Sequence, residues 1–181
     1  MTERLVILSD MWGAKKNRWI TSYLGYLQQY FDIVFYDCQQ LASMDLLINT
    51  EENICEEFIK RGKDIAVTHL LNKENEPSHY LVFCVGGTIA WKAGLQGLPM
   101  KSLFAISSGL LQLESEKPNS PLTLLYGERD DNKPSLEWAT QMDVKMKTVP
   151  NFGRELYTDE KNISMVCQSL LEMATTKEVQ F

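Results

Sequence analysis

The residue with the clearest capacity for covalent chemistry is Cys84, which follows an apolar run and precedes the glycine pair Gly86 and Gly87. A thiolate that stands on a sharp turn between a strand and a helix can act as a nucleophile, and small neighbours let the two elements approach closely. A buried cysteine after an apolar run is also often an inert core residue. The pattern therefore predicts either a nucleophile or a packed thiol at this turn.

Two other segments carry charged side chains directly after apolar runs. Asp130 lies in the acidic turn Gly127-Glu128-Arg129-Asp130, and Pro134 is expected to open the helix that follows. Arg154 lies in the segment 149–159, before the last predicted helix. A general base must release and accept a proton near neutral pH, whereas a guanidinium stays protonated. Arg154 therefore cannot act as a base, although Asp130 could orient one.

The chain has two histidines, His69 and His79, and neither is placed to serve Cys84. His79 is predicted at the amino end of the strand that leads to Cys84, roughly 15 Å away at about 3.3 Å per residue. His69 lies on the apolar face of a predicted helix, which favours a packed or surface role. The sequence thus offers no histidine base for this thiol.

The elements that must position these residues alternate between strands and helices. Four short apolar runs, 5–8, 80–85, 102–106 and 122–126, are typical of strands buried on both faces, and weaker strands are predicted at 33–36 and 144–149. Helical spacing of apolar residues is found from Trp19 to Phe31, over 51–75 with a break at Gly62, at 87–96, at 134–143 and near the C-terminus. This alternation predicts an α/β fold with a three-layer, doubly wound, mostly parallel sheet of about six strands. Residues 176–181 are expected to fray, and no lid or specificity motif is found in the loop predicted at 38–53.

Taken together, the loops resemble those of the α/β-hydrolase superfamily. The segment Cys84-Val85-Gly86-Gly87 is similar to the nucleophile elbow of that superfamily, although Val82 stands where a glycine is usual. The resemblance covers nearly the whole chain and implies a single domain, residues 1–181, that lacks the usual N-terminal strand pair and a sizeable lid.

The resemblance also implies a role for each loop. Cys84 takes the nucleophile position, Asp130 that of the triad acid, and Arg154 that of the catalytic histidine. The segment after the first strand, 9–13, corresponds to an oxyanion loop, so the backbone N–H groups of Met11 and Val85 are the expected oxyanion-hole donors. Asp10 and Trp12 are expected to wall a pocket.

Composition excludes several functional classes. The formal net charge is −6 and the basic residues are scattered, which argues against binding to nucleic acid. Four cysteines without a CxxC spacing, and only two histidines, argue against a metal site and favour a reducing, cytoplasmic location. The Gly86-Gly87 pair lacks the pattern of a dinucleotide site, so no cofactor is expected. No membrane segment is expected either.

Three functions stay open at this point. The first is a non-catalytic or weakly active protein that binds a small acyl or ester ligand, with Asp130 and Arg154 forming an ion pair. The second is a cysteine hydrolase or acyltransferase acting on an ester or thioester, which predicts a lowered pKa of Cys84 and a pocket beside it. The third is a protein-interaction module with an inert Cys84, no adjoining cavity, and exposed aromatic residues such as Trp12, Trp19 and Trp138. The oligomeric state is not indicated.

Overall fold

The computed structural model describes residues 2–15 and 18–175. These residues form a six-stranded, all-parallel sheet in the order β2-β1-β3-β4-β5-β6. The strands are β1 (Glu3–Leu8), β2 (Phe31–Tyr36), β3 (Ser78–Phe83), β4 (Met100–Ile106), β5 (Leu122–Gly127) and β6 (Lys145–Val149). The predicted α/β architecture is confirmed, and the predicted fraying of residues 176–181 lies outside the described residues.

Seven α-helices connect the strands of the described chain. They are α1 (Trp19–Leu27), α2 (Cys38–Leu41), α3 (Glu51–Glu57), α4 (Lys63–Lys73), α5 (Val85–Leu95), α6 (Leu136–Met142) and α7 (Glu160–Thr175). A π-helical turn, Phe58–Gly62, joins α3 directly to α4, and short 3₁₀ segments lie at Leu111–Leu113 and Arg154–Thr158. The break predicted at Gly62 is thus a change of helical winding within one continuous helical segment.

Both faces of the sheet are covered, as the apolar runs require. Along β1, Val6 and Leu8 pack into a core shared with α3, α4 and α5, whereas Leu5 and Ile7 pack into a second core with α1 and α7. Because successive side chains of a strand point to opposite faces, a strand covered on both sides is apolar at nearly every position. The two cores therefore explain the continuous apolar runs and the doubly wound arrangement.

Some predicted boundaries were wrong, each for a local reason. Phe31 continues the apolar spacing of α1 but is the first residue of β2, because it packs into the same core from the strand. The loop predicted at 38–53 contains α2, whose first N–H groups bond to the Asp37 carboxylate. Pro134 does not open α6. The helix begins at Leu136, where the Ser135 hydroxyl caps it by accepting from the Trp138 N–H at 3.1 Å.

The helices of the described residues include none that is both long and apolar enough to cross a membrane. The feature that matters most for the site is the common direction of the strands. Since all six are parallel, the loops after β1, β3, β4, β5 and β6 meet at the carboxyl edge of the sheet.

Candidate active site

Cys84 occupies the turn between β3 and α5 in a strained backbone conformation. Its φ of 50° and ψ of −120° lie in a region that residues with a side chain rarely adopt, and such strain is concentrated at functional sites. The strand predicted to run through Val85 ends two residues earlier, at Phe83, because the chain turns at Cys84 and Val85 begins α5. The sharp strand-to-helix turn is therefore present.

The two glycines after Cys84 are required by close contacts. A Cβ added to Gly86 would lie 2.8 Å from the backbone oxygen of Ser9, and a Cβ added to Gly87 would lie 1.6 Å from Ser108 Oγ. These contacts hold the start of α5 against the loops after β1 and β4. Val82, which departs from the usual glycine, is fully buried in the core beneath the turn. The fold thus accommodates a branched residue there.

Two backbone groups influence the Cys84 thiol. The N–H groups of Val85 and Met11, the predicted oxyanion-hole donors, lie close enough to the sulfur to lower its pKa. Burial has the larger, opposite effect and raises the pKa of the Cys84 thiol to about 11, although the Arg154 charge lowers it and the Asp10 charge raises it. Cys84 is therefore a neutral thiol at pH 7, contrary to the lowered pKa expected of a thiolate enzyme.

Asp130 is buried in the loop after β5. One carboxylate oxygen accepts the Asn132 N–H at 2.9 Å, and the other, Oδ2, has no hydrogen-bond partner among the described residues. The loop lies against the segment after β6, where the Arg129 N–H donates to the Phe152 carbonyl at 2.9 Å. Burying a carboxylate oxygen without a partner is costly, so Oδ2 is an unused acceptor in this part of the site.

Arg154 points away from this acceptor and toward a helix. Its guanidinium donates to the Glu51 carboxylate of α3 at 2.6 Å. The hydrogen bond from Glu51 raises the pKa of Arg154, so the guanidinium keeps its proton. The ion pair expected between Arg154 and Asp130 is therefore wrong: in the described residues Arg154 is paired with Glu51, which was unforeseen because the two residues are far apart in sequence.

Neither histidine lies at this site. His79 is the second residue of β3, where Nδ1 is 2.7 Å from the Ser102 hydroxyl and Nε2 is 3.6 Å from a Glu3 oxygen. His69 is half-buried on α4 with Nδ1 2.7 Å from the Leu41 carbonyl oxygen. The predicted positions of both residues are confirmed, and no imidazole reaches Cys84.

The loop after β1 differs from its expected arrangement. Asp10 is buried and accepts hydrogen bonds from the Tyr157 hydroxyl and the Trp12 N–H, each at 3.0 Å. Neither Asp10 nor Trp12 lines the cavity beside Cys84, so the expectation that they wall a pocket is wrong. Their part is to hold this loop against the 3₁₀ segment that begins at Arg154, and that position brings the Met11 N–H to the sulfur.

A cavity of about 420 Å³ opens beside Cys84. Most of its walls are apolar, and it is lined by Met11, Cys55, Phe58, Ile59, Lys63, Cys84, Val85, Thr88, Gly109, Leu110, Leu113, Asn132 and Arg154. Cavities of a few hundred Å³ with apolar walls and a few polar groups are typical of small-molecule sites. Of the predicted site residues, the structure thus brings Cys84, Met11, Val85 and Arg154 around one cavity, with Asp130 behind Asn132 in the adjoining loop.

Several of these lining residues were missed in the sequence. Cys55, Phe58, Ile59 and Lys63 come from the continuous segment α3 to α4, which crosses the carboxyl edge of the sheet. Their helical spacing predicts a helix but not the edge over which it lies. Gly109 and Leu110 follow β4, and the rule that ligands bind at the carboxyl ends of parallel strands could have found them.

The architecture is similar to that of solved hydrolases. Alpha/beta hydrolase domain-containing protein 10 from mouse is 10% identical, with 97% of this chain and 91% of that chain covered and a TM-score of 0.71. Est1E from Butyrivibrio proteoclasticus is 12% identical, with 99% and 89% covered and a TM-score of 0.63. Est1E with ferulic acid bound has a TM-score of 0.65 at 14% identity, with 99% and 91% covered.

No protein-family model matches the chain, and no curated protein matches it. The likeness to the solved structures covers nearly the full length on both sides, while the identities are low. It therefore establishes the fold. The chain has the α/β-hydrolase fold, as the resemblance of its loops implied.

Proposed function

We propose that this protein binds a small acyl-type ligand in the cavity beside Cys84 and that its catalytic triad is incomplete, so that it turns over esters weakly or not at all. The observation that carries the proposal is the chemistry of Arg154, a permanent cation that lines the cavity at the position that the resemblance gives to the catalytic base. Among the described residues that line the cavity there is no histidine, aspartate or glutamate. A binding role uses the apolar walls without needing that base.

The chemistry of ester hydrolysis makes this absence decisive. A thiolate can attack a carbonyl carbon without a base, but a thiol with a pKa of about 11 is ionised to only roughly one part in ten thousand at pH 7. Water must then attack the acyl-enzyme, and this step needs a base in any case. Both half-reactions are therefore slow in this site.

A second candidate is an acyltransferase or hydrolase that uses Cys84. The strained turn and the two backbone N–H groups near its sulfur favour it, because backbone strain is concentrated at functional sites and preorganised N–H donors stabilise a developing negative charge. In that reaction, Cys84 Sγ bonds to the acyl carbon of a thioester, the bond to the leaving sulfur breaks, and the thiol proton passes to that sulfur. A second nucleophile, an alcohol, amine or thiol, then bonds to the acyl carbon, the bond between that carbon and Cys84 Sγ breaks, and the proton of the nucleophile returns to Sγ.

The third candidate, an interaction module with an inert Cys84, has less support. It predicted no cavity at Cys84, whereas a cavity adjoins this residue. It also predicted exposed tryptophans, whereas Trp12, Trp19 and Trp138 are each partly buried against a core. Trp19, for example, packs edge-on against Phe83 with ring centroids 4.7 Å apart.

The test combines turnover with covalent labelling. We expect wild type to show little hydrolysis of short-chain nitrophenyl esters and acyl thioesters, and Arg154→His to gain at least about a hundredfold, since general-base catalysis typically contributes 10²–10⁴. The gain requires the new imidazole to turn toward the elbow, accept the thiol proton and donate to Asp130 Oδ2, which has no partner among the described residues. Arg154→Gln is the matched control, because it removes the charge without supplying a base.

Mass spectrometry of the intact protein separates the candidates. Turnover by wild type that is as fast as that of Arg154→His and is lost in Cys84→Ala contradicts the binding-protein proposal and supports the second candidate. An acyl adduct of one equivalent on Cys84, without turnover, indicates a nucleophile that lacks a base and supports the incomplete triad. If Arg154→His gains nothing over Arg154→Gln, the idea that only the base is missing is wrong.

A further inference from the structure

The cavity beside Cys84 carries positive charge in an acidic protein. Its lining includes two cations, Lys63 and Arg154, and none of the described residues that line it is an aspartate or glutamate. The chain as a whole has a net charge of −6. Cations that border a low-dielectric cavity favour an anionic partner more strongly than the same charges on an open surface.

Lys63 is the less expected of the two. It is partly buried and forms no ion pair with any residue that the structure describes, whereas its neighbours Lys60 and Arg61 pair with Glu56 and Glu57 on the same helical segment. A helix surface offers partners to lysines that face solvent. Lys63 faces the cavity instead, so its ammonium is left for a group that enters there.

Arg154 has a partner that an entering anion can replace. The Arg154 and Glu51 side chains are 38% and 54% exposed, and ion pairs at such exposure contribute little to stability. A carboxylate can make two parallel hydrogen bonds to a guanidinium, a geometry that also gives specificity. The Glu51 contact therefore marks a place where a carboxylate already sits and from which it can be exchanged.

The rest of the cavity is suited to a hydrocarbon chain. Phe58, which is buried, lines it together with Ile59, Leu110 and Leu113, which are 63%, 43% and 75% exposed. Large apolar side chains exposed around one opening favour a ligand that covers them. The cavity thus has a cationic part and an apolar part.

We propose that the ligand is an anionic amphiphile, a medium-chain carboxylate whose head group binds Arg154 in place of Glu51 and whose chain lies along Phe58, Leu110 and Leu113. Lys63 adds to the positive potential that holds the head group. This inference rests on the proposed acyl-binding function and adds the charge and shape of the ligand. It also gives Arg154 a use at the position where the hydrolase fold has a base.

The experiment titrates the protein with three eight-carbon compounds, octanoate, octanol and octylammonium, by isothermal calorimetry. We expect octanoate to bind about ten- to hundredfold more tightly than octanol, the range of a charge-assisted hydrogen bond, and octylammonium to bind most weakly. Between butanoate and octanoate, affinity should rise by up to about fourfold for each added methylene. Equal binding of octanoate and octanol overturns the proposal.

Charge variants locate the head group. Arg154→Gln should weaken octanoate by about tenfold or more and leave octanol unchanged, which also shows that the variant is folded. Lys63→Gln should weaken octanoate by up to about fivefold, and Glu51→Gln should not weaken it. Arg61→Gln and Lys60→Gln are matched controls, since both residues lie on the same helical segment outside the cavity. Loss of octanoate binding in these controls, or none in Arg154→Gln, overturns the assignment.

An apolar pair locates the chain. Leu113→Ala should weaken both octanoate and octanol severalfold, whereas Leu136→Ala, at a leucine that is 74% exposed on α6 and away from the cavity, should change neither. These readouts separate the two proposals. If octanol binds in a Leu113-dependent way but octanoate has no advantage, acyl binding stands and the anionic head group is wrong. If no compound binds, both proposals fail.

Discussion

The elbow after β3 and the loop after β6 border the same cavity, but they are held in different ways. The elbow is defined by its backbone: Cys84 has a strained φ, Gly87 lies against Ser108, and the N–H groups of Val85 and Met11 lower the pKa of the thiol. The loop after β6 is also anchored through its backbone, since the Ser107 hydroxyl donates to the Arg154 carbonyl at 2.8 Å. The side chain of Arg154, however, does not pair with a residue of the elbow but donates to Glu51 of α3.

In this site, backbone contacts fix the shape of the elbow, whereas a single side chain sets the chemistry of the loop after β6. The elbow is held by the close contacts of Gly86 and Gly87 with the loops after β1 and β4. The chemistry of the loop depends on which side chain residue 154 carries. Substitutions in the elbow and in the loop after β6 test this contrast.

The reactivity of Cys84 depends on both regions, because the thiol lies in the elbow and the Arg154 charge lowers its pKa. Because burial raises the pKa of its thiol to about 11, we expect the rate of alkylation by iodoacetamide to rise about tenfold per pH unit from pH 7 to pH 10, or hundredfold from pH 7 to pH 9. Arg154→Gln should slow alkylation further, since the Arg154 charge lowers this pKa. Peptide mapping by mass spectrometry distinguishes Cys84 from the other three cysteines.

The matched control for this experiment is Arg61→Gln, which removes the same charge at a residue that is not a cause of the Cys84 shift. It should leave the profile unchanged. A rate that reaches its plateau by pH 8 would mean that Cys84 is a thiolate near neutrality, and the elbow would then be chemically active without the loop.

Gly87→Ala tests the packing of the elbow. The new Cβ would lie 1.6 Å from Ser108 Oγ and 2.4 Å from Ser108 Cβ, so we expect a loss of about 1–3 kcal/mol in the free energy of unfolding. Adding Ser108→Gly should restore most of it. Gly25→Ala on α1, where nothing lies within 4 Å, should instead stabilise the protein by about 0.5–1 kcal/mol. Urea unfolding measures both, and equal effects at Gly87 and Gly25 would contradict the close approach.

A smaller effect isolates backbone strain at the elbow. Cys84→Ala keeps a Cβ at positive φ, whereas Cys84→Gly relieves it, so the glycine variant should be more stable by about 1 kcal/mol. At Cys167, inside α7, the same pair should give the opposite order by about 0.5–1 kcal/mol. Thermal or urea unfolding of the four variants measures these differences in stability. If the alanine variant is the more stable one at both positions, Cys84 is not strained.

Much of the fold was predictable because a strand that is buried on both faces is apolar at nearly every position. The central strands appear as continuous apolar runs, while β2 and β6 gave weaker signals because they are edge strands. Lys145 and Lys147 of β6, for example, are exposed. The ends of the helices were less predictable. Phe31 of β2 packs into the same core as α1, so its apolar side chain continues the helical spacing although it lies in the strand.

The sequence by itself determined which residues stand at the carboxyl ends of the strands. Cys84, Asp130 and Arg154 each follow a strand, and parallel strands necessarily bring such residues to one edge. The sequence also determined that residue 154 cannot be a base, because this follows from the guanidinium alone.

The partners and pKa values of these residues depend on the tertiary structure. The partner of Arg154 is Glu51, 103 residues away, because the start of α3 lies beside the segment after β6, while Lys63 at the start of α4 lines the cavity. The pKa of Cys84 is raised chiefly by desolvation, because the loops around the turn partly bury the thiol. Desolvation and long-range charge pairs depend on distances through space, which the local periodicity of a sequence does not contain.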